Sequence, residues 1–201
     1  AGCSALYLGD DTTCFRGVIP VDPPSCALDA RIPHDPADSQ IVYGWNAFRA
    51  LLACGLNAVG PADFEVTVTP TGIPPVIREI TPSGQEVTIM IDPPLAPGQW
   101  VCFTYLWTGG QFCFGALPAD ANADGQSRAT AVEGGAPSDI QVLRNNLAGT
   151  VGASLSLWQC DIDRSGLCTP ADLLMEVDLL TGADAFDVWN GHSLPLCPSA
   201  P

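Results

Sequence analysis

The rhythm of hydrophobic and polar positions in this chain changes near residue 117. Before that point apolar residues tend to recur at every second position. Phe64, Val66 and Val68 alternate with Glu65, Thr67 and Thr69, and Val87, Ile89 and Ile91 repeat the pattern. A period of two places one face of a strand against a core. Pro82-Ser83-Gly84-Gln85 supplies a turn between two such runs. The runs 100–107 and 111–115 flank Thr108-Gly109-Gly110, a hairpin signal. Cys102 and Cys113 then fall on opposite arms of that hairpin, where a disulfide can staple it. Further strands at 27–32, 45–53 and 76–80 bring the count to about seven within residues 25–117. That number and spacing predict an immunoglobulin-like antiparallel β-sandwich, without the Cys and Trp pattern of antibody domains.

After residue 117 the period becomes helical and one motif occurs twice. Asp120-Ala-Asn-Ala-Asp-Gly leads to Pro137-Ser138-Asp139 and a segment ending at Gly149. Asp161-Ile-Asp-Arg-Ser-Gly leads to Pro170-Ala171-Asp172 and a segment ending at Gly182. Ile140, Leu143 and Leu147 mark one apolar helix face, and Leu173, Val177 and Leu180 mark another. Two loop–helix units packed face to face would bury both stripes. The fold class expected is mostly β with a small α domain, the sandwich being followed by a two-helix module. The boundaries read as an N-terminal extension at 1–24, a sandwich at 25–117, a calcium-type module at 118–190 and a tail at 191–201. The extension has room for at most one short strand, packed on its own domain or free to pair with a neighbour.

The repeats carry a ligand pattern. A hard cation such as Ca2+ takes six to eight oxygens, and an EF-hand loop supplies them from positions 1, 3, 5, a backbone carbonyl at 7, and 12, with glycine at 6. The second repeat meets this without a gap: Asp161, Asp163, Ser165, Gly166, the Leu167 carbonyl and Asp172. In the first repeat Asp120, Asn122, Asp124, Gly125 and the Gln126 carbonyl take positions 1, 3, 5, 6 and 7. Position 12 there is Ala131, and the closing carboxylate arrives eight residues late as Asp139, with Glu133 inside the insert as a competing ligand. Doubling a loop costs only about 0.6 kcal/mol of closure entropy, so the insert is expected to weaken or slow binding rather than abolish it. An acidic surface turn leading into a helix would share part of the pattern, since a carboxylate such as Asp172 near a helix start is favourable without metal.

The duplicated motif resembles the type I dockerin of bacterial surface and cellulosome proteins. The run Gln-Cys-Asp-Ile-Asp-Arg-Ser-Gly-Leu-Cys-Thr-Pro-Ala-Asp-Leu-Leu at 159–174 is similar to the cysteine-bearing form at the C-termini of secreted planctomycete-type proteins. The strand-rich region before it is similar to the β-domain that often precedes such modules. The resemblance implies one calcium per repeat and docking of the folded pair on a cohesin. Cohesin-binding members often carry Ser-Thr at loop positions 10 and 11, whereas this chain has Pro137-Ser138 and Pro170-Ala171. Calcium binding therefore carries over better than cohesin binding.

Composition narrows the field. The formal charge is −15, from 22 acidic residues against seven basic ones, all Arg. Such a surface repels nucleic acid and anionic membranes and favours divalent cations. Nine cysteines, with Cys160 and Cys168 forming a second close pair, point to an oxidising, extracellular compartment. Pairing of Cys3, Cys14, Cys26, Cys54 and Cys197 stays open at this level, and the odd total leaves one thiol free or bonded between chains. No apolar run reaches membrane-spanning length. Neither His34 nor His192 has a recognisable catalytic partner, and Cys160 and Cys168 lack companion zinc ligands. The expectation is a non-enzymatic, extracellular calcium-binding structural or assembly protein, with a protein partner or self-association. The alternative is a carbohydrate- or protein-binding adhesion module, for which Trp45, Trp100, Trp107, Trp158 and Trp189 are the stacking candidates.

Overall fold

A computed structural model of the chain describes residues 5–10, 19–20, 26–32, 45–52, 59–70, 72–83, 86–107, 109–150, 152 and 154–198. Its described residues are mostly β, with three α-helices, and fall into two compact units. One unit comprises Ala1–Ala27, Gly44–Gly115 and Pro195–Pro201, and the other Leu28–Tyr43 and Ala116–Leu194.

The first unit is built on nine strands: β1 (Ala5–Asp10), β2 (Ile19–Pro20), β3 (Cys26–Asp29), β4 (Trp45–Leu52), β5 (Phe64–Thr69), β6 (Val76–Ser83), β7 (Glu86–Leu95), β8 (Gln99–Tyr105) and β9 (Gly110–Ala116). They form a five-stranded sheet ordered β2-β1-β4-β7-β6 and a four-stranded sheet ordered β3-β9-β8-β5. The seven strands expected from the alternation all occur. The expectation of at most one strand in the extension does not hold, because β1 and β2 both lie there. β1 pairs antiparallel with β4, with Leu8 opposite Ala50, so this part of the extension is spent inside its own sheet.

The sandwich core follows from the alternation. Val87, Ile89 and Ile91 turn one face of β7 inward and are at most 3 % exposed. Phe48 of β4 reaches across to Phe103 of β8 and Phe114 of β9, at centroid separations of 5.5 and 4.8 Å. Phe112 stacks on Phe103 at 5.4 Å, so four aromatic rings tie the two sheets together. The opposite face of the β8–β9 hairpin is covered too. Cys102 and Cys113 are disulfide-bonded across it, as the spacing predicted, and Trp100 lies over Gly115. A Cβ on Gly115 would stand 2.6 Å from the indole, so the close approach requires glycine there.

The second unit holds α1 (Asp139–Leu147), α2 (Leu157–Cys160) and α3 (Pro170–Thr181). Two helices were expected; α2 is a short addition in front of the second loop. Ser138 caps α1 through its hydroxyl, and Thr169 with Asp172 forms a reciprocal capping box on α3. α1 and α3 pack against each other. The stripe expected on α3 is displaced, however. Its buried residues are Asp172, Glu176, Leu179 and Leu180, while Leu173 and Val177 are only partly covered.

Candidate metal centre

The second loop brings its acids together. Carboxylate oxygens of Asp161, Asp163 and Asp172 lie within 4.8 Å of one another, the spread allowed to oxygens that share one ion at about 2.4 Å. Asp161 and Asp172 are fully buried. The Gly166 N–H donates to both Asp161 oxygens at 3.0 Å, and the Ser165 hydroxyl donates to Oδ1 at 3.3 Å. The Asp163 N–H donates to Asp172 Oδ1 at 3.1 Å, and the Thr169 N–H donates to Oδ2 at 2.7 Å. Leu167 exposes its side chain, which suits a position whose only contribution is a carbonyl. Cys160 and Cys168 are disulfide-bonded and bracket the first seven positions of the loop.

The first loop repeats this wiring. The Gly125 N–H donates to Asp120 Oδ2 at 2.8 Å, and the Asn122 N–H donates to Asp139 Oδ1 at 3.0 Å. The Arg128 N–H donates to Asp139 Oδ2 at 2.7 Å, as Thr169 does in the second loop. Position 4 has positive φ in both, 57° at Ala123 and 62° at Arg164, and the following glycines reach 82° and 88°. Two turns of the same hand are thus formed around the residue that opens each loop. Asp139, not Glu133, occupies the closing position; Glu133 is exposed on the insert. One difference stands out: Asp124 is ion-paired with Arg128, four residues on. Gln126 pairs with Ser193, and the Leu194 N–H donates to the Gly125 carbonyl at 2.9 Å.

Electrostatics mark these carboxyls as unsettled. Burial pushes Asp120 up to about 7, with the charge of Asp139 adding to it. Burial likewise raises Asp139 to about 6. Asp161 rises to about 6 through burial, against the opposing pull of the Gly166 N–H and Arg31. Among the described residues only Asp161, Asp163 and Asp172 of the second loop gather carboxylate oxygens within 4.8 Å of one another. Carboxyls so gathered and partly sealed from water suit a divalent cation, whose charge would lower a carboxyl value that burial raises. The donor set, all oxygen and without imidazole or thiolate, selects calcium or magnesium over transition metals.

Two features of the unit escaped the sequence reading. The sandwich strand expected at 27–32 ends at Asp29 as β3, and the residues after it, Ala30 and Ile32, bond instead to both loop segments. The Ala30 N–H donates to the Trp158 carbonyl at 3.0 Å, and the Ala30 carbonyl accepts from Ala119 at 2.9 Å. The Ile32 N–H donates to the Ile162 carbonyl at 3.0 Å. Backbone pairing of this kind leaves no periodic trace. The second feature is Glu176, fully buried with no hydrogen-bond partner on either oxygen. Its only sequence signal is its place one turn after Asp172.

No protein-family model matches the chain, and no curated protein matches it. Among solved structures it is similar to the N-terminal part of the bacterial S-layer protein SbsC, at 14% identity and TM-score 0.31, over 36% of this chain and 21% of that one. It is also similar to the S-layer protein rSbsC(31-844), at 10% identity and TM-score 0.36, over 66% and 17%. The chain therefore spans about a fifth or less of those proteins, and likeness at this level carries no functional weight. Among the described residues no helix is long and apolar enough to cross a membrane.

Proposed function

We propose that this chain is a non-enzymatic extracellular structural protein whose loop unit is a dockerin-like module holding two calcium ions. The observation that carries the reading is the matched wiring of the two loops. In both, position 6 donates to the carboxylate at position 1, while positions 3 and 9 donate to the closing carboxylate. A surface turn with no ligand has no reason to bury its acids and repeat that arrangement at two places. The sandwich supports the companion part of the reading. Its β1-β4-β7-β6 and β5-β8-β9 orders follow the immunoglobulin constant-type pattern, with β3 added beside β9 and β2 beside β1. Such domains serve as spacers and joints, and assembly with a neighbouring protein or a second copy fits an acidic, disulfide-bonded chain.

Calorimetric titration of chelator-stripped protein with calcium tests the proposal. Two bound ions and a melting temperature that rises with calcium are expected, since a ligand at 100 times its Kd adds about 2.7 kcal/mol to stability. Identical melting curves in calcium and in EDTA would refute it. Sizing in the two conditions then tests whether calcium governs assembly.

A second reading rests on Trp107. The other four tryptophans are at most 9 % exposed, whereas Trp107 is 78 % exposed beside Leu106 near the tip of the β8–β9 hairpin. Its indole N–H is held by Asp63 at 2.9 Å, which fixes the ring as a platform for a sugar face. Retention on a polysaccharide column that is lost in Trp107→Ala would favour this adhesion role.

A further inference from the structure

The two loops share their wiring but not the means by which they are held shut. In the second, Cys160 stands one residue before Asp161 and Cys168 one before Thr169. Thr169 grips the closing carboxylate, its N–H donating to Asp172 Oδ2 at 2.7 Å and its hydroxyl at 3.1 Å. The disulfide therefore ties the acid that opens the loop to the residue that holds the acid closing it. Contacts from outside reach only the first half of the loop, where Ile162 and Arg164 bond to Ile32. Among the described residues, 165–168 are hydrogen-bonded only within the loop.

The first loop has Ala119 and Ser127 at the two cysteine places. There the Ser127 hydroxyl donates to the Pro118 carbonyl at 2.7 Å, and residues 190–194 run beside the loop as a short antiparallel partner. The Leu194 N–H donates to the Gly125 carbonyl at 2.9 Å, the Ser127 N–H to the His192 carbonyl at 3.0 Å, and the Gly191 N–H to the Ser127 carbonyl at 2.8 Å. Hydrogen bonds thus do for the first loop what one covalent bond does for the second. Access to the sulfurs also differs. Cys160 is fully buried while Cys168 is partly exposed; in the hairpin disulfide both Cys102 and Cys113 are buried.

We propose that the Cys160–Cys168 disulfide is a redox-sensitive clasp. Oxidised, it keeps the carboxylates of the second loop gathered; reduced, it lets that loop open while the first stays shut. The calcium consequence, a selective loss of affinity at the second site, rests on the reading above, whereas the clasp itself does not. The reductant is a dithiol. Its thiolate attacks the Cys168 sulfur, the S–S bond breaks, and the electron pair leaves on Cys160, which takes up a proton. The second thiolate of the reagent then displaces Cys168, which is protonated in turn. Two protein thiols form as the dithiol becomes a cyclic disulfide.

The test uses the full chain, reduced with dithiothreitol, beside Cys160→Ala/Cys168→Ser, which gives the second loop the residues found in the first. Alkylation and mass analysis identify the cysteines that dithiothreitol opens. In EDTA, amide exchange at Gly166 and Thr169 should quicken on the order of tenfold in the reduced wild type and in the double variant, while Gly125 and Arg128 stay within about twofold. Calcium titration follows in backgrounds that leave one loop, Asp120→Asn for the second and Asp161→Asn for the first. Reduction should weaken binding on the order of tenfold in Asp120→Asn and by less than about twofold in Asp161→Asn, because a disulfide restricts the open loop far more than the closed one. A disulfide that resists dithiothreitol in the folded chain, or exchange that is unchanged or rises equally in both loops, overturns the clasp. Should the double variant not fold, the reduced wild type decides. Unchanged calcium affinity in reduced Asp120→Asn overturns the link to the metal. Faster exchange confined to the second loop, in a chain that takes up no calcium, upholds the clasp and overturns the calcium reading.

Discussion

Arg128 and Asp139 exchange two hydrogen bonds although eleven residues separate them. The Arg128 N–H donates to Asp139 Oδ2 at 2.7 Å, and the Asp139 N–H donates to the Arg128 carbonyl at 3.1 Å. Thr169 and Asp172, only three residues apart, make the same pair of bonds at 2.7 and 3.1 Å. The excess of eight residues in the first loop is thus pinched off at its base. The insert leaves the loop between positions 9 and 12 and returns the closing carboxylate to its equivalent place.

Removing residues 129–136 should therefore be tolerated. The deletion leaves Arg-Pro-Ser-Asp where the second repeat has Thr-Pro-Ala-Asp. First-loop calcium affinity in the shortened chain should stay within about threefold of wild type, as expected if loop closure changes by no more than about 0.6 kcal/mol. The bond from the Ala129 N–H to Asn190 is lost with the insert, and being exposed it should matter little. Titration of the deletion variant in the Asp161→Asn background measures this, and loss of the site would show that the insert itself supplies ligands.

The acid pairs set a pH signature for the calcium-free protein. Asp120, Asp139 and Asp161 have folded-state values of about 7, 6 and 6, against an ordinary 3.8. A raised carboxyl value means that the native state keeps protons the unfolded chain has released, so the contribution is full below pH 4 and is lost as pH rises through 6 to 7. In EDTA the melting temperature should fall between pH 4.5 and 7.5, and the stabilisation by calcium should grow over the same interval. A calcium effect that is flat across that interval would contradict the assignment of these carboxyls as ligands.

The buried Asp29–Arg31 pair should prove indispensable to the loop unit. Both side chains are fully buried, joined at 2.6 Å, and the guanidinium lies 4.0 Å over the Trp158 ring. Burial alone would raise Asp29, but the Arg31 charge and hydrogen bonds outweigh it and hold the carboxyl below its ordinary value. Removing one partner strands the other charge in the interior, so Arg31→Met should cost about 3–5 kcal/mol in urea unfolding. Asp29→Leu combined with Arg31→Met should recover much of that loss. A single variant within about 1 kcal/mol of wild type would mean that water reaches the pair.

The strands and the turns of the two loops were legible in the sequence for different reasons. Val87, Ile89 and Ile91 announce a strand because only alternation puts all three on one face. Asp161, Gly166 and Asp172 announce a loop because a left-handed turn at Gly166 and the helix start capped by Asp172 fix their spacing. Glu176 gave no such notice, since a lone acid on a helix is usually solvated and its burial depends on what packs against it. Ala30 and Ile32 were read as sandwich residues, and their neighbours support that reading locally; only the bonds to Trp158, Ala119 and Ile162 reveal the other allegiance. Ala5–Asp10 looked like an arm because a strand of six residues carries too little pattern to show which sheet receives it.

The position of residues 30–32 bears on how such a protein can be inherited. A module that is complete in one stretch of sequence can be copied onto the end of any other gene. Here the strip that joins Ala119, Trp158 and Ile162 is encoded almost ninety residues ahead of the first acidic loop, with the sandwich in between. Recombination that moved only residues 118–194 would transplant both loops but leave behind the piece that ties them together. The two units are therefore expected to travel through evolution as one gene segment, even though each has a core of its own.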